Sequence, residues 1–295
     1  MNPYFRSVDM MAAFTNEPPE LDFVLPGFLA GSVGALFSPG ATGKSFLVLE
    51  AAMGVACSVA GGDLLNLQPG HTGQVIYLAA EDPEPVLLRR LYSIGKHLNP
   101  AARDAIAEHL ALEPLMGKRL DVMKDEHMAR LLEYCDGARL IVIDTISRVH
   151  QLDENSNGDM GRLLQALEYL AAQTGAAVLF LHHVSKSSAA SGQGDQQHAA
   201  RGASILTDNA RWGAALSKMT PDEAELWSDS INLEPVGDRR NYYVRFSVPK
   251  NNYGEPIEDR WFKRVEGGVL IPVALLPAKA ENAKKGGRIH DAAAY

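Results

Sequence analysis

The chain has 295 residues, 46% of them hydrophobic and 22% charged, which is enough apolar material for one large α/β domain with modest additions. A formal net charge of -8 argues against a surface coated in basic residues for gripping duplex DNA, although a ring can still focus a few Lys and Arg into a channel. No apolar run approaches the ~20 residues of a membrane helix, and the N-terminal stretch carries Pro, Glu and Asp before any apolar run, unlike a signal peptide. Cys57 and Cys135 fit no metal or disulfide framework, so the expectation is a soluble protein of a reducing cytoplasm, with no membrane partner.

In chain order, residues 1–30 are Pro-rich and weakly periodic (Glu17-Pro18-Pro19-Glu20, Pro26-Gly27) and read as an extended arm. A regular pattern follows. Ser32 to Phe37 reads as a short apolar strand and Lys44 to about Ala60 as a helix. Gln74 to Ala80 (QVIYLAA) is a buried strand, with a helix from near Pro83 to about His97. Asn99-Pro100 opens another helix, and Ala111 to Met116 is a candidate strand. Arg139 to Ile143 (RLIVI) is a strand, Met160 to Gln173 an amphipathic helix and Ala176 to Leu181 (AAVLFL) a further strand.

These strands are continuously apolar and alternate with helices, so both faces of the sheet must be covered. The predicted fold class is therefore α/β, with a mainly parallel sheet between two helical layers. Ser187 to Gln197 (SSAASGQGDQQ) reads as a mobile polar loop. Asn209 to Ser217, Asn241 to Val248 and Trp261 to Val273 read as strands forming a C-terminal β extension of the same sheet. The expected organisation is an arm over residues 1–30, one α/β domain over 31–276 and a disordered tail over 277–295.

The strongest chemical signal is Ser38-Pro39-Gly40-Ala41-Thr42-Gly43-Lys44-Ser45, set between a strand and a helix. Gly40 and Gly43 let the backbone curl so that its N–H groups point at phosphate oxygens. Lys44 is placed to reach the β- and γ-phosphates of ATP, the Ser45 hydroxyl to ligate Mg²⁺, and the helix start adds a favourable dipole. Ser38 replaces the usual leading glycine. Asp144 ends the RLIVI strand, where ligands of open α/β sheets collect, and so is a candidate for the same Mg²⁺. An Asp at a strand end is ordinarily only a terminator; the upstream phosphate loop favours the functional reading.

Glu81 and Asp82 end the QVIYLAA strand and divide naturally. Glu81 is placed to orient and deprotonate a water, and Asp82, before Pro83, to cap the next helix. His182 and His183 end a third strand. Adjacent strand residues point to opposite faces, so one of the two could sense a γ-phosphate while the other is a plain buried histidine. Lys186 and Arg201 flank the polar loop, while Arg211 and Lys250 lie in or at the ends of late strands. All four could offer cations to phosphate, of nucleic acid or of a neighbour's ATP.

At these residues the sequence resembles the RecA/DnaB superfamily, and more closely the plasmid RepA-type replicative helicases, which act as homohexameric rings. The likeness runs from about Pro18 to Pro272 and includes LDFVLPGFLAGSVGALFSPGATGKS, VIYLAAEDP, LIVIDT, LFLHHVSK, GDQQHAARGAS, DNARW and KNNYG followed by DRWFKR. The resemblance implies a RecA-like core that uses ATP and Mg²⁺, with Lys44 and Ser45 in the loop, Glu81 as catalytic glutamate and Asp144 beside the metal. It further implies that His183 (or else His182) links γ-phosphate to a DNA-binding loop with Lys186 and Arg201. Arg211 becomes the arginine finger reaching the adjacent subunit. KNNYG matches the KNRxG signature with Lys250 at the lysine, but Asn252 stands where that signature has arginine. The implied activity is ATP-driven movement on single-stranded DNA by a self-assembled ring in plasmid or mobile-element replication, with an initiator or primase as further partners and the 21–26 arm against a neighbour. The competing expectation is a RecA-like regulatory or assembly ATPase that does not unwind DNA.

Overall fold

The computed structural model describes residues 7–184 and 204–279. Its framework is a nine-stranded sheet whose members, in chain order, are β3 (Val33–Ser38), β4 (Val75–Ala79), β5 (Leu110–Pro114), β6 (Leu140–Asp144), β7 (Ala177–His183), β8 (Trp212–Lys218), β10 (Tyr243–Asn251), β11 (Ile257–Arg264) and β12 (Leu270–Pro272). Their order across the sheet is β12-β11-β10-β8-β3-β7-β6-β4-β5. From β5 to β8 every pairing is parallel; β10, β11 and β12 add on antiparallel. The mainly parallel α/β class and the β extension of the same sheet are thus as the sequence implied.

All residues of β3, β4 and β6 are buried, as continuous apolar strands covered on both faces must be. Alternate side chains feed two separate cores. Tyr77, Val142 and Leu179 belong to one, with α2 (Lys44–Ala56), α3 (Glu84–Gly95) and α4 (Pro100–His109). Ile76, Ile143 and Phe180 belong to the other, with α5 (Asp125–Tyr134) and α6 (Asn157–Thr174). Local chemistry sets the helix ends. The Asn99 side chain accepts from Ala102 N at 2.8 Å to start α4, and Gly175, at φ 71°, ends α6 in the left-handed region that disfavours a side chain.

Several segments differ from the sequence expectation. The arm is not uniformly extended: Asp9 caps a short helix α1 (Met10–Thr15), and residues 23–29 form the hairpin β1 (Phe23–Leu25) and β2 (Phe28–Leu29). Phe28 is fully buried and stacks on Trp212 with ring centroids 4.9 Å apart, so apolar burial fixes this stretch despite its Pro and Gly. The Trp261 to Val273 stretch is two strands, because Gly267 and Gly268 at φ 76° and 91° turn the chain between β11 and β12. Two short helices, α7 (Ser204–Asn209) and α8 (Pro221–Leu226), and the small pair β9 (Trp227–Ser228) with β13 (Leu276–Pro277), complete the described residues. Of the expected 277–295 tail, Pro277 pairs with Trp227 and Ala278 and Lys279 donate to backbone carbonyls, whereas residues 280–295 and the 187–197 loop lie outside the described residues.

One buried carboxyl ties the extension to the first core. Glu50 in α2 is fully buried, its Oε1 accepts from Leu270 N at 2.9 Å, and Oε2 is buried without a hydrogen-bond partner among the described residues. Burial pushes its pKa from 4.5 to about 8, the Leu270 hydrogen bond opposing this. Between those values the folded chain holds one proton more than the unfolded chain. The contribution of this group to stability is therefore full below about 4.5 and is lost as pH rises through about 8. Glu50→Gln keeps the acceptor and removes the titration. In thermal melts it should unfold at a higher temperature than wild type at pH 8.5 and show a flatter pH profile above pH 5; an unchanged profile would contradict the assignment.

Candidate nucleotide-binding site

The parallel register places the chemistry. Ser38 pairs with His183, and Ala79 with Asp144, so the ends of β3, β7, β6 and β4 lie side by side at one edge. Between β3 and α2 the loop turns back on itself. Ala41 and Gly43 adopt φ 58° and 107°, the Thr42 hydroxyl donates to Pro39 O at 2.9 Å, and Ser38 Oγ donates to the same carbonyl at 3.1 Å. Internal hydrogen bonds thus hold the loop, and Ser38 supplies one where the usual glycine has no side chain.

Lys44 opens α2 and is only 5% exposed. Its Nζ donates to His183 Nδ1 at 2.9 Å, which leaves His183 Nε2–H to donate to Glu81 Oε2 at 3.3 Å. Lys44, His183 and Glu81 are therefore one hydrogen-bonded chain joining the phosphate loop to two strand ends. Burial holds the Lys44 ammonium below its ordinary pKa, while Glu81 and Asp144 draw it back up. Strand alternation decides between the two histidines. His183 shares the α2 side with Leu179 and Leu181, whereas His182 is buried on the opposite side, edge-on to Phe37 with centroids 6.1 Å apart. Burial lowers the His182 pKa, which suits an uncharged core residue.

Asp144 is 3% exposed. Burial raises its pKa, and the Tyr77 and Ser45 hydroxyls beside it pull the other way. Tyr77 donates to Oδ2 at 2.7 Å, while Oδ1 is buried and has no hydrogen-bond partner among the described residues. A buried carboxylate oxygen in need of a partner, next to a serine hydroxyl at a phosphate loop, is a hard-oxygen donor set that fits Mg²⁺. Among the described residues no group of three or more His, Cys, Asp or Glu side chains could hold a metal alone, so a cation here would draw its remaining ligands from phosphate and water.

Asp82 is not the helix cap expected of it. Pro83 occupies the cap position without a side-chain bond, and Asp82 pairs with Arg90 of α3 at 2.6 Å. Arg211 immediately precedes β8, whose Trp212 pairs with Gly34 at the far end of β3. Arg211 is thus separated from its own loop by about 13 Å of strand. Lys250 stands next to it, paired across the ladder with Gly213 and donating through Nζ to the Asp208 carbonyl. Burial lowers the Lys250 pKa, with Arg211 adding to the effect and Asp208 opposing it. The structure therefore brings Lys44, Ser45, Glu81, Asp144 and His183 together and puts Arg211 with Lys250 at the opposite edge. Lys186 and Arg201 lie outside the described residues.

Two contributors were not singled out in the sequence. Tyr77 was legible in principle, since it shares a face with Ala79 and so with Asp144 across the register. Arg264, whose Nη2 donates to Thr42 O at 2.6 Å, comes from 222 residues along the chain and carried no local signal.

A phosphate loop opening a helix, with acidic and imidazole side chains at the neighbouring strand ends of a parallel sheet, is the arrangement of a P-loop nucleotide-binding fold. A family model described as an AAA domain, AAA_25, matches residues 4–189, more than half of the chain, and the chain belongs to that family. Among solved structures, the chain is similar to one titled a crystal structure of the RadB recombinase, at 16% identity with a TM-score of 0.48, covering 82% of this chain and 90% of that one. Among the described residues no helix is long and apolar enough to cross a membrane.

Tyr77→Phe deletes only the hydroxyl that holds Asp144. Titrating Mg²⁺ against binding of a fluorescent ATP analogue should show the half-saturating Mg²⁺ concentration raised by about tenfold, the lower end of what losing a hydrogen bond to a metal-binding side chain costs in metal affinity. An unchanged Mg²⁺ requirement would separate Asp144 from the metal.

Proposed function

We propose that the chain is an ATP hydrolase that assembles into a hexameric ring and translocates on single-stranded DNA to unwind duplex in plasmid or mobile-element replication. The observation that carries this reading is the Lys44–His183–Glu81 chain, because its middle member, His183, ends β7, the strand that leads toward residues 185–203. ATP would sit with its phosphates against Pro39 to Ser45. Mg²⁺ held through Ser45 and Asp144 would neutralise phosphate oxygens. Glu81 takes the proton of the attacking water as its oxygen bonds to the γ-phosphorus, and the bond to the β-phosphate oxygen breaks to release ADP.

A γ-phosphate competes with His183 for the Lys44 ammonium. His183 freed from Lys44 changes its contacts to Glu81, and the strand end carrying it leads into the segment with Lys186 and Arg201, the candidate DNA contacts. Arg211 lies at the end of β3 away from its own loop, which supports a role in trans as the finger of an adjacent subunit, with Lys250 beside it. A replication initiator or primase is the further partner implied by the resemblance. A cytoplasmic location follows from the same reading.

Two measurements test this. Single-stranded DNA should accelerate ATP hydrolysis by a ring-sized particle; a ring whose turnover ignores DNA would instead be a regulatory or assembly ATPase. Arg211→Ala and Lys44→Ala should each be nearly inactive, the former by a factor of order 10³ by analogy with other fingers. Mixed under subunit exchange, an intact loop from one variant meets an intact arginine from the other, and activity should return. Demonstrated mixed rings without recovery would defeat the trans role.

A further inference from the structure

We infer that Arg264 is a positioning residue for the phosphate loop, pinning the Thr42 carbonyl so that residues 264–270 of the C-terminal extension hold the loop and α2 in their nucleotide-binding geometry. Contacts at three levels of α2 support this. At its start, Arg264 Nη2 donates to Thr42 O at 2.6 Å, and a Cβ on Gly43 would stand 2.6 Å from the same nitrogen, so that nitrogen packs directly against the loop backbone. One turn on, Gly268 packs so closely that a Cβ there would meet the Phe46 ring at 2.8 Å, and Arg90 lies over that ring at 5.5 Å. Halfway along, the Glu50 carboxyl accepts from Leu270 N. A Cβ on Gly267 would meet Ser93 of α3 at 2.6 Å, so the same turn also locks the neighbouring helix.

The physical logic follows from the loop itself. For its N–H groups to point at phosphate, the carbonyls of the loop must turn outward, and an outward carbonyl near the protein interior needs a donor. Thr42 O finds it in Arg264. The guanidinium is half-buried, and burial holds its pKa below the ordinary arginine value, so it has exchanged water for this contact. Loss of the donor leaves the carbonyl free to rotate and the Gly43, Lys44 and Ser45 amides less well aimed. Binding of nucleotide should suffer more than the chemical step, since Lys44, Glu81 and Asp144 are untouched.

This inference rests on residues 38–45 being the nucleotide site, and the experiment separates the two. The affinity of a fluorescent ATP analogue, the KM and kcat for ATP and the melting temperature are measured on the full chain for wild type, Arg264→Ala, Arg264→Gln and Arg264→Lys. Absence of analogue binding in wild type would defeat the site itself. With wild-type binding present, Arg264→Ala should weaken affinity about tenfold, equivalent to about 1.4 kcal/mol, and raise KM in step while kcat changes by less than about threefold. Arg264→Gln, which can donate to a carbonyl without carrying charge, should recover part of the affinity. Recovery in Arg264→Lys with none in Arg264→Gln would show that the charge acts on phosphate directly and overturn the positioning role. An equal loss of kcat and affinity tracking a lowered melting temperature in all three variants would overturn it as well.

Discussion

Parallel strand register is the constraint on which the rest of the molecule depends. Because β3, β7, β6 and β4 run the same way and pair with Ser38 opposite His183 and Ala79 opposite Asp144, four strand ends deliver a loop, an imidazole and two carboxylates to one edge. No loop has to be long to reach the site. The cost of gathering Lys44 and Asp144 at 5% and 3% exposure is desolvation, and the pKa of each moves in the direction that burial imposes. Their proximity offsets part of that cost. His183 satisfies Lys44, Tyr77 satisfies one Asp144 oxygen, and the other Asp144 oxygen has no hydrogen-bond partner among the described residues.

The antiparallel extension has a different task. It lies beside β8 and brings Lys250 next to Arg211 at one end of the sheet, while at the other end its last strands fold over α2. A single β unit thus touches both the phosphate loop of its own chain, through Arg264, Gly268 and Glu50, and the Arg211–Lys250 pair, through the β10 ladder. On the proposed reading, in a ring that arrangement would link the nucleotide held by one subunit to the cations it offers to the next.

How much of this was legible depended on whether the signal was local. The phosphate loop, the strand carrying Asp144 and the strand ending in the two histidines were readable because burial on both faces leaves uninterrupted apolar runs bounded by polar chemistry. Periodicity also contained the answer for His183, since alternation from Leu181 puts it on the α2 side once the sheet's faces are known. The helices α5 and α8 were passed over. The first has no side-chain cap at Lys124, but the second carries a capping box between Thr220 and Glu223 that the sequence did display. Asp82 was misread as a cap because the ion pair with Arg90 is one helical turn further on than any local rule looks. Arg264 and Glu50 were beyond reach, as their partners lie 222 and 220 residues away and the sequence carries no trace of which strand will fold over which helix.

On the proposed reading, His183 would transmit the state of the phosphate loop to the residues that follow β7. Coupling of this kind is reciprocal, so it can be read as the change in single-stranded DNA affinity caused by a non-hydrolysable ATP analogue. Wild type should bind DNA about tenfold more tightly, or more weakly, with the analogue than without, a coupling of roughly 1.4 kcal/mol. His183→Ala should still bind the analogue and still bind DNA, with the two affinities independent of each other. The same coupling in His183→Ala as in wild type would contradict the account.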